Sequence, residues 1–377
     1  MINSRNDTLL RDSLLSLLLP GLGHVVRGWW RKGLLVWVVV AALGGTLYLA
    51  VIRGRLAWLA GPSEYWFSTS MLFLFFVILW LWAFFDLRRV IRARDVQTYV
   101  QGYWQIVGRR FSKDPKGMIG LGIVLIVCFV AVFAPFFSNG NGLKMELANF
   151  LAPPSAEHPL GMDNFGRDVL DRLIFGSRVA LGIGAVATLL NMVFGGFLGL
   201  IGGYFRGVPD AVIMRVLEIV NSIPFLVLVL LIVSLWGAGI ATLIIVLGVF
   251  GLQPARIIRS EVLSVREEDY ILAARAIGAP TLRIIIRHVL PNAIASLLVV
   301  TTMTIGVNII VVAGLSFLGF GVRPPMPSWG AMLQQAQEFM RSAWWMSIYP
   351  GLCIIITVFG FNILGDSLRD VLDPRLK

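Results

Sequence analysis

Ile294-Ala-Ser-Leu-Leu-Val-Val-Thr-Thr-Met-Thr-Ile-Gly-Val-Asn-Ile-Ile-Val-Val-Ala-Gly-Leu-Ser-Phe-Leu-Gly-Phe320 carries no charged side chain along its length. A helix rises 1.5 Å per residue and about 20 apolar residues cross the hydrocarbon of a bilayer. The stretch therefore reads as a membrane-spanning helix. Comparable runs lie at roughly 33–52, 67–85, 117–137, 179–205, 216–236, 239–255 and 343–364. Composition agrees, with 57% hydrophobic and 14% charged residues and a mean hydropathy of +0.82, where soluble domains carry about 25% charged residues. The expected fold class is an all-α polytopic membrane protein. An earlier run, Leu14–Leu19 leading into Pro20-Gly21-Leu22-Gly23, is short and broken. It suits an interfacial or re-entrant segment, or a further span.

The net charge is +11. In a soluble chain that would suggest nucleic acid as a partner. Here Lys and Arg stand in short blocks beside apolar runs, as membrane topology requires, so no nucleic-acid partner is expected. One block runs from Arg88 to Lys116, a second holds Arg256, Arg259, Arg266, Arg275, Arg283 and Arg287, and a third holds Arg369, Arg375 and Lys377. All three reach the cytoplasm if an even number of spans separates them, which the runs above supply. Residues 138–178 and 321–342 are then extracytoplasmic, and Arg53 and Arg55 are a mild exception. The chain divides near residue 102 into an N-terminal membrane extension, 1–102, and a six-span unit, 103–377, whose first span is 117–137 and whose core runs from about 176 to 370.

Other classes of function find little support. No G-x-x-x-x-G-K-[ST] run is present to cradle a nucleotide phosphate. Proton-coupled carriers place Asp, Glu or His inside the bilayer. The spans at 117–137, 179–205, 239–255, 294–320 and 343–364 have no charge, and Glu218 lies beside Arg215 near a helix end. A secondary, ion-coupled transporter is thus the rival reading, with no evident coupling residue. His24, His158 and His288 are far apart, and Cys128 and Cys353 sit in apolar runs without metal spacing; no metal site and no bound cofactor are expected. Asp163, Asp168 and Asp171, beside Arg167 and Arg172, read as a solvated, salt-bridged short helix rather than a catalytic acid pair.

The segment 256–291 is the most informative. Ser264-Val-Arg-Glu267 matches a capping box that would start a helix. Gly278 suits the left-handed conformation that stops one. Pro280 permits a restart, and Leu282–Leu290 form a second short helix that would end before Pro291. On the first helix Tyr270, Ala273, Ala274 and Ile277 share one face. That stripe either docks on a cytoplasmic partner or packs on the chain's own bundle.

Tyr270-Ile-Leu-Ala-Ala-Arg-Ala-Ile-Gly278, followed by Arg283-Ile-Ile-Ile-Arg-His-Val-Leu-Pro-Asn292, resembles the EAA loop of ABC-importer permeases. Ala273, Ala274, Gly278, Leu290 and Pro291 match that signature, Leu272 replaces its acidic residue and His288 its isoleucine. Further stretches resemble the C-type permeases of the dipeptide, oligopeptide and nickel family, together covering about 103–377. They are Pro153–Arg172 (Met162 departing from the usual Thr), Gly202-Gly-Tyr-Phe-Arg206, Ser316-Phe-Leu-Gly-Phe-Gly321 with Ser328-Trp-Gly330, and Asn362–Arg375. The resemblance implies a type I ABC-importer permease in the inner membrane, multi-pass, for peptides or similar solutes; nickel chelates and glycosides are alternatives. It implies as partners a homologous second permease, two ATPase subunits or domains that use ATP and Mg, an extracytoplasmic solute-binding protein and the surrounding lipid. The chain itself would be no enzyme. The coupling loop would present Tyr270, Leu272, Ala273, Ala274, Ile277, Gly278, Leu290 and Pro291 to the ATPase.

Within the bilayer, Gly195, Gly199 and Gly203 repeat every four residues, a spacing that lets helices approach closely as a static contact or a sliding surface. Thr188, Asn191, Asn221, Thr301, Thr302, Thr304 and Asn308 are candidates to line a translocation path or to hydrogen-bond a neighbouring helix.

Overall fold

The computed structural model describes residues 103–138 and 142–372, with isolated positions between 34 and 45. Expectations for residues 1–102, including the segment at 14–23 and the spans at 33–52 and 67–85, otherwise lie outside the described residues, as do Arg375 and Lys377. The chain forms two compact units, Met1–Tyr103 with Val132–Asn139, and Trp104–Ala131 with Gly140–Lys377. The second is described below.

The elements are helices: α1 (Tyr103–Phe111), α2 (Pro115–Val132), α3 (Val169–Phe205), α4 (Gly207–Ser222), α5 (Phe225–Trp236), α6 (Ile240–Phe250), α7 (Gln253–Arg266), α8 (Asp269–Ala276), α9 (Thr281–Ile284), α10 (Leu290–Phe317), α11 (Trp329–Ala336) and α12 (Trp345–Leu372). Among the described residues five segments are long and apolar enough to cross a membrane: Pro115–Val132, Val169–Phe205, Ile240–Arg266, Thr281–Phe317 and Trp345–Leu372. α3 has 37 residues, about 55 Å, so it overshoots a hydrocarbon core of about 30 Å. It is the axis of the bundle, with α6, α7 and α10 packed along it, while α10 also packs on α12.

Prolines account for two departures from the expected elements. The span expected at 216–236 is instead two helices, α4 and α5, bent by 82°. The break falls at Ile223-Pro224, where Ile223 is extended (φ −88°, ψ 129°), because proline's ring disfavours the helical conformation in the residue before it. The second short helix expected to end before Pro291 does not end there. α9 passes through a π-helical turn, Ile285–Val289, into α10, so Thr281–Phe317 is continuous. In that turn the Leu290 N–H bonds to the Ile285 carbonyl, one residue further back than in an α-helix. The wider turn accommodates a proline, which has no N–H to give and crowds the preceding turn.

The capping box is a third correction. Ser264 lies inside α7, and the Glu267 N–H bonds to its backbone carbonyl. α7 thus carries Arg256, Arg259 and Arg266 on a helix, and the loop proper begins at Glu267.

Glycines bring α3 and α7 together. A β-carbon on Gly203 would meet the Arg259 carbonyl at 2.8 Å and Val262 at 2.9 Å, one on Gly195 would meet the Ala255 nitrogen at 3.3 Å, and one on Gly199 would run into the Ala255 carbonyl. At the start of α2 the Asp114 carboxylate accepts from the amides of Lys116 and Gly117, both at 3.1 Å, and from the Ser367 hydroxyl of α12. The Ser367 hydrogen bond, ahead of the two amides, holds that carboxyl below its ordinary pKa. Cys128 and Cys353 pack against one shared apolar cluster.

At the far end of α3 the aspartates are not a solvated short helix, contrary to expectation. Asp163 is buried in a loop between Arg167 and Arg172, both of them buried. Its carboxylate accepts from the Phe165 and Arg167 amides at 2.8 and 2.9 Å and from Arg167 Nε at 2.7 Å. Asp168 caps α3 through the Asp171 N–H (3.0 Å) and pairs with His158 at 2.8 Å. Trp329 and Trp345 close this end by donating their indole N–H groups to the carbonyls of Leu173 and Met162.

Replacing Gly199 by Leu should force α3 from α7 and destabilise the purified protein by about 1–3 kcal/mol, the usual cost of overpacking, read as a lower melting temperature in detergent. Gly182→Ala, a helical site with nothing within 4 Å of the added carbon, should melt at or slightly above wild type.

Candidate functional site

The segment 267–293 folds onto the end of α3 as a small structural unit. α8 begins where the Ile271 and Leu272 amides bond to the Glu268 carbonyl (2.9 and 3.2 Å). It ends at Gly278, whose φ of +75° is the left-handed value expected for a helix stop. The closing bonds run from the Gly278 N–H to the Arg275 carbonyl (2.9 Å) and from the Ala279 N–H to that of Ala274 (3.1 Å), the paired pattern of a Schellman motif. Pro280 then caps α9. The helix–turn–helix read from the sequence is present.

One face of this elbow is a core. Ile271, Ala274, Ile284 and Val289 pack with Ile258, Val262 and Val265 of α7, Ala293 and Leu297 of α10 and Tyr204 of α3. The other face is open, with Leu272, Ala273, Ile277, Leu282 and Ile286 exposed beside the exposed Arg283 and Arg287, and Ile277 84% so. The predicted stripe is therefore divided. Ala274 faces the chain's own bundle, while Ala273 and Ile277 face away from it. Tyr270, half exposed, accepts a hydrogen bond from Asn292 Nδ2 at 3.2 Å and lies 6.4 Å from the His288 ring. Burial, then the Glu268 carboxylate, raises its phenol pKa, which keeps the hydroxyl neutral. Leu290 and Pro291 are exposed where α10 begins.

Charged groups from distant parts of the chain lock the elbow to α3. The guanidinium groups of Arg266 and Arg275 lie 5.6 and 5.5 Å from the Tyr204 ring centroid, within cation–π range, and Arg266 also donates to the Tyr204 carbonyl. Arg206 pairs with Glu267 at 2.6 Å. Arg259 grips both oxygens of Asp210 at 2.5 Å, joining α7 to α4. Tyr204, Arg206 and Asp210 were not singled out for this role from the sequence. Their partners lie 49 to 71 residues away along the chain (Asp210–Arg259, Tyr204–Arg275), beyond any local pattern. The one available signal was the density of arginines in 256–287.

The candidate path polars fall into two groups. Asn308 Nδ2 donates to Thr188 Oγ1 at 2.9 Å, joining α10 to α3, and Asn191 donates to the carbonyls of Leu247 and Gly251, joining α3 to α6. Those three are buried. Asn221, Thr301, Thr302 and Thr304 each bond a carbonyl one turn back on their own helix, at 2.7–2.8 Å.

The comparisons with known proteins agree with this architecture. Residues 195–377 match the family described as binding-protein-dependent transport system inner membrane component, and residues 102–154 match the N-terminal TM domain of oligopeptide transport permease C. The chain is 38% identical over 275 residues to the dipeptide transport system permease protein DppC of Alkalihalophilus pseudofirmus, covering 73% of this chain and 90% of that one. It is 37% identical over 289 residues to the glutathione transport system permease protein GsiD of Pectobacterium atrosepticum (76% and 95% covered). The oligopeptide transport system permease protein OppC of Bacillus subtilis is 37% identical over 275 residues (73% and 90%). With those relatives and several helices long and apolar enough to cross a bilayer, this chain belongs to the family of binding-protein-dependent transport system inner-membrane components, as a multi-pass ABC-importer permease subunit.

Proposed function

We propose that residues 103–377 form one half of the membrane pathway of an ATP-driven importer for peptides or similar small solutes, with residues 1–102 as an added membrane extension. A homologous permease supplies the other half, two cytoplasmic ATPase subunits or domains bind ATP and Mg, and an extracytoplasmic binding protein delivers the solute. The names of the relatives support the solute class. The observation that supports the coupling role is the two-faced elbow at 267–293, with Leu272, Ile277, Leu282 and Ile286 exposed beside Arg283 and Arg287 on one side, buried against α3, α7 and α10 on the other.

A motor that grips the open face moves a rigid body. Ile271 and Ile284 are almost wholly buried beneath it, and closely packed interiors transmit displacement rather than absorb it. The displacement reaches α3 through Tyr204 and through the Arg206–Glu267 pair. It reaches α7 through the close glycine contacts and α4 through Arg259–Asp210. α10 is covalently continuous with the elbow through the π-turn. Leu272, at the position of the family's acidic residue, makes this contact apolar where a charge would serve in relatives.

Gly278→Leu tests the coupling. No atom lies within 4 Å of the added carbon, so the penalty is the left-handed backbone, about 1–2 kcal/mol, concentrated at the turn. Membrane insertion should be unchanged, and peptide uptake in proteoliposomes should fall by about tenfold, as that strain adds to the barrier of the coupled step, while ATP hydrolysis continues. Normal uptake would count heavily against the elbow as transmitter. Pro291→Ala should have the milder effect, because the π-turn relaxes without losing the helix.

A paired comparison tests the open face. Ile277→Asp, at an exposed site, should change the chain's own stability by no more than about 0.5 kcal/mol yet reduce co-purification of the ATPase. Ile271→Asp buries a carboxylate in the elbow core and should lower expression of folded protein instead. Undiminished ATPase retention by Ile277→Asp would remove this face from the contact.

A further inference from the structure

Asn191, Asn221, Asn292 and Asn308 each donate from the side-chain amide to a carbonyl or, for Asn308, to Thr188. Asn362 of α12 does not. It is exposed, and its amide has no hydrogen-bond partner among the described residues. Nor does it stand at a helix end. The Ser367 hydroxyl donates to Asp114 where α2 begins. Deeper in, a β-carbon on Gly120 would meet the Leu364 nitrogen at 2.7 Å, and one on Gly360 would meet Ile123 at 2.6 Å. Asn362 is therefore level with Gly120–Ile123, roughly 10 Å inside the start of α2 and within a hydrocarbon core of about 30 Å.

An amide side chain carries two N–H donors and an acceptor oxygen, and hydrocarbon satisfies none of them. The exposed face of α2 fits a lipid environment through this depth, with Met118, Ile119, Leu125 and Ile126 all apolar. The exposed face of α12 changes character instead. Leu352, Ile355 and Phe359 are apolar, and the exposed positions that follow are Asn362, Asp366 and Arg369. Asn362 also leans across the seam with α10, where a β-carbon on Gly306 would meet its Oδ1 at 3.3 Å. Thr302 lies one turn from Gly306 toward the elbow, with an oxygen that can still accept. This seam thus gathers an amide, a hydroxyl and a carboxylate at a depth where α2 offers only hydrocarbon to its surroundings. Such a face requires water or a polar solute against it.

On the reading of this chain as one half of an importer, we propose that Asn362 lines the elbow-side half of the solute path. Its amide pairs with a peptide group in both directions: Nδ2 donates to the peptide carbonyl, and Oδ1 accepts from the peptide N–H. The pairing ignores the side chains on either side, which suits a wall that peptides of many sequences pass. Water takes the same positions between passages, so the amide is never left bare.

The test uses the full chain in its importer complex, in proteoliposomes. Dipeptide uptake by the wild-type complex checks the importer reading by itself, so a failure there is separate from a failure at Asn362. Asn362→Leu, at an exposed site, should assemble as wild type and lower dipeptide uptake about threefold to tenfold, the worth of one neutral hydrogen bond. Asn362→Gln keeps the amide and should recover most of the loss. In a background with Cys128→Ala and Cys353→Ala, the thiol of Asn362→Cys should react with a charged, membrane-impermeant thiosulfonate. The thiol of Ile126→Cys, on the exposed face of α2, should react only with a membrane-soluble maleimide. Uptake unchanged in Asn362→Leu overturns the proposal. So does an Asn362→Cys thiol that only the membrane-soluble reagent reaches, which marks lipid, or one that the charged reagent misses but that crosslinks to the second permease, which marks a subunit contact. If the cysteine-free background does not assemble, the uptake of the Leu and Gln variants decides alone.

Discussion

Lipid offers a membrane helix neither a hydrogen bond nor any hydrophobic drive toward its neighbour, so close packing must hold the bundle together. The crossing of α3 with α7 is where this protein meets that constraint most fully. Glycines at 195, 199 and 203 remove the side chains that would separate the backbones, and Ala255, Arg259 and Val262 occupy the space. Most other features near the elbow depend on that crossing. Tyr204 and Arg206 sit one to three residues beyond Gly203, so the close contact delivers them to the arginines and Glu267 that follow α7. A wider crossing would leave two guanidinium groups without the aromatic face they approach.

Buried polar groups serve the same end by a different route. Asn308 with Thr188, and Asn191 with the carbonyls of Leu247 and Gly251, join helices that have little but dispersion to hold them. Thr302 and Thr304 bond within their own helix instead, and Thr301 does so while also reaching Met192 Sδ of α3 at 3.3 Å. Hydroxyls that return to a carbonyl one turn back are satisfied without help from a neighbour, so Thr302 and Thr304 place no demand on packing.

Much of this was legible in the sequence where the signal is local. Spans such as 294–320 could be read because lipid demands long uncharged runs, and the Gly278 stop because only a left-handed residue closes that turn. The glycine repeat was legible for the same reason. What escaped reading depended on competition or on distance. Ser264 has the spacing of a capping box, but the helix begun at Gln253 carries through it, because Ile258, Val262 and Val265 have a core to enter. Pro291 resembles a stop, yet a π-turn absorbs it; Pro224, not singled out, does break its helix. The aspartates and arginines at 163–172 look solvated in one dimension. Trp329 and Trp345, some 160 to 180 residues further along, are what cover this end of the bundle.

The two ends of α3 thus treat charge in opposite ways, and the difference follows from what each end must do. Near the elbow the pairs are exposed or half exposed, with Arg206 and Glu267 at 45% and 60%. Surface pairs of that kind contribute about 0–1 kcal/mol, so the elbow is held to α3 chiefly by its apolar core and the Tyr204 ring, with the ion pair adding little. At the other end Asp163, Arg167 and Arg172 are sealed, where parting one charge from its partner costs about 3–5 kcal/mol. On the proposed coupling role, α3, with 37 residues and anchored at its far end, would carry a displacement of the elbow along its length to α6 and α10, which pack against it.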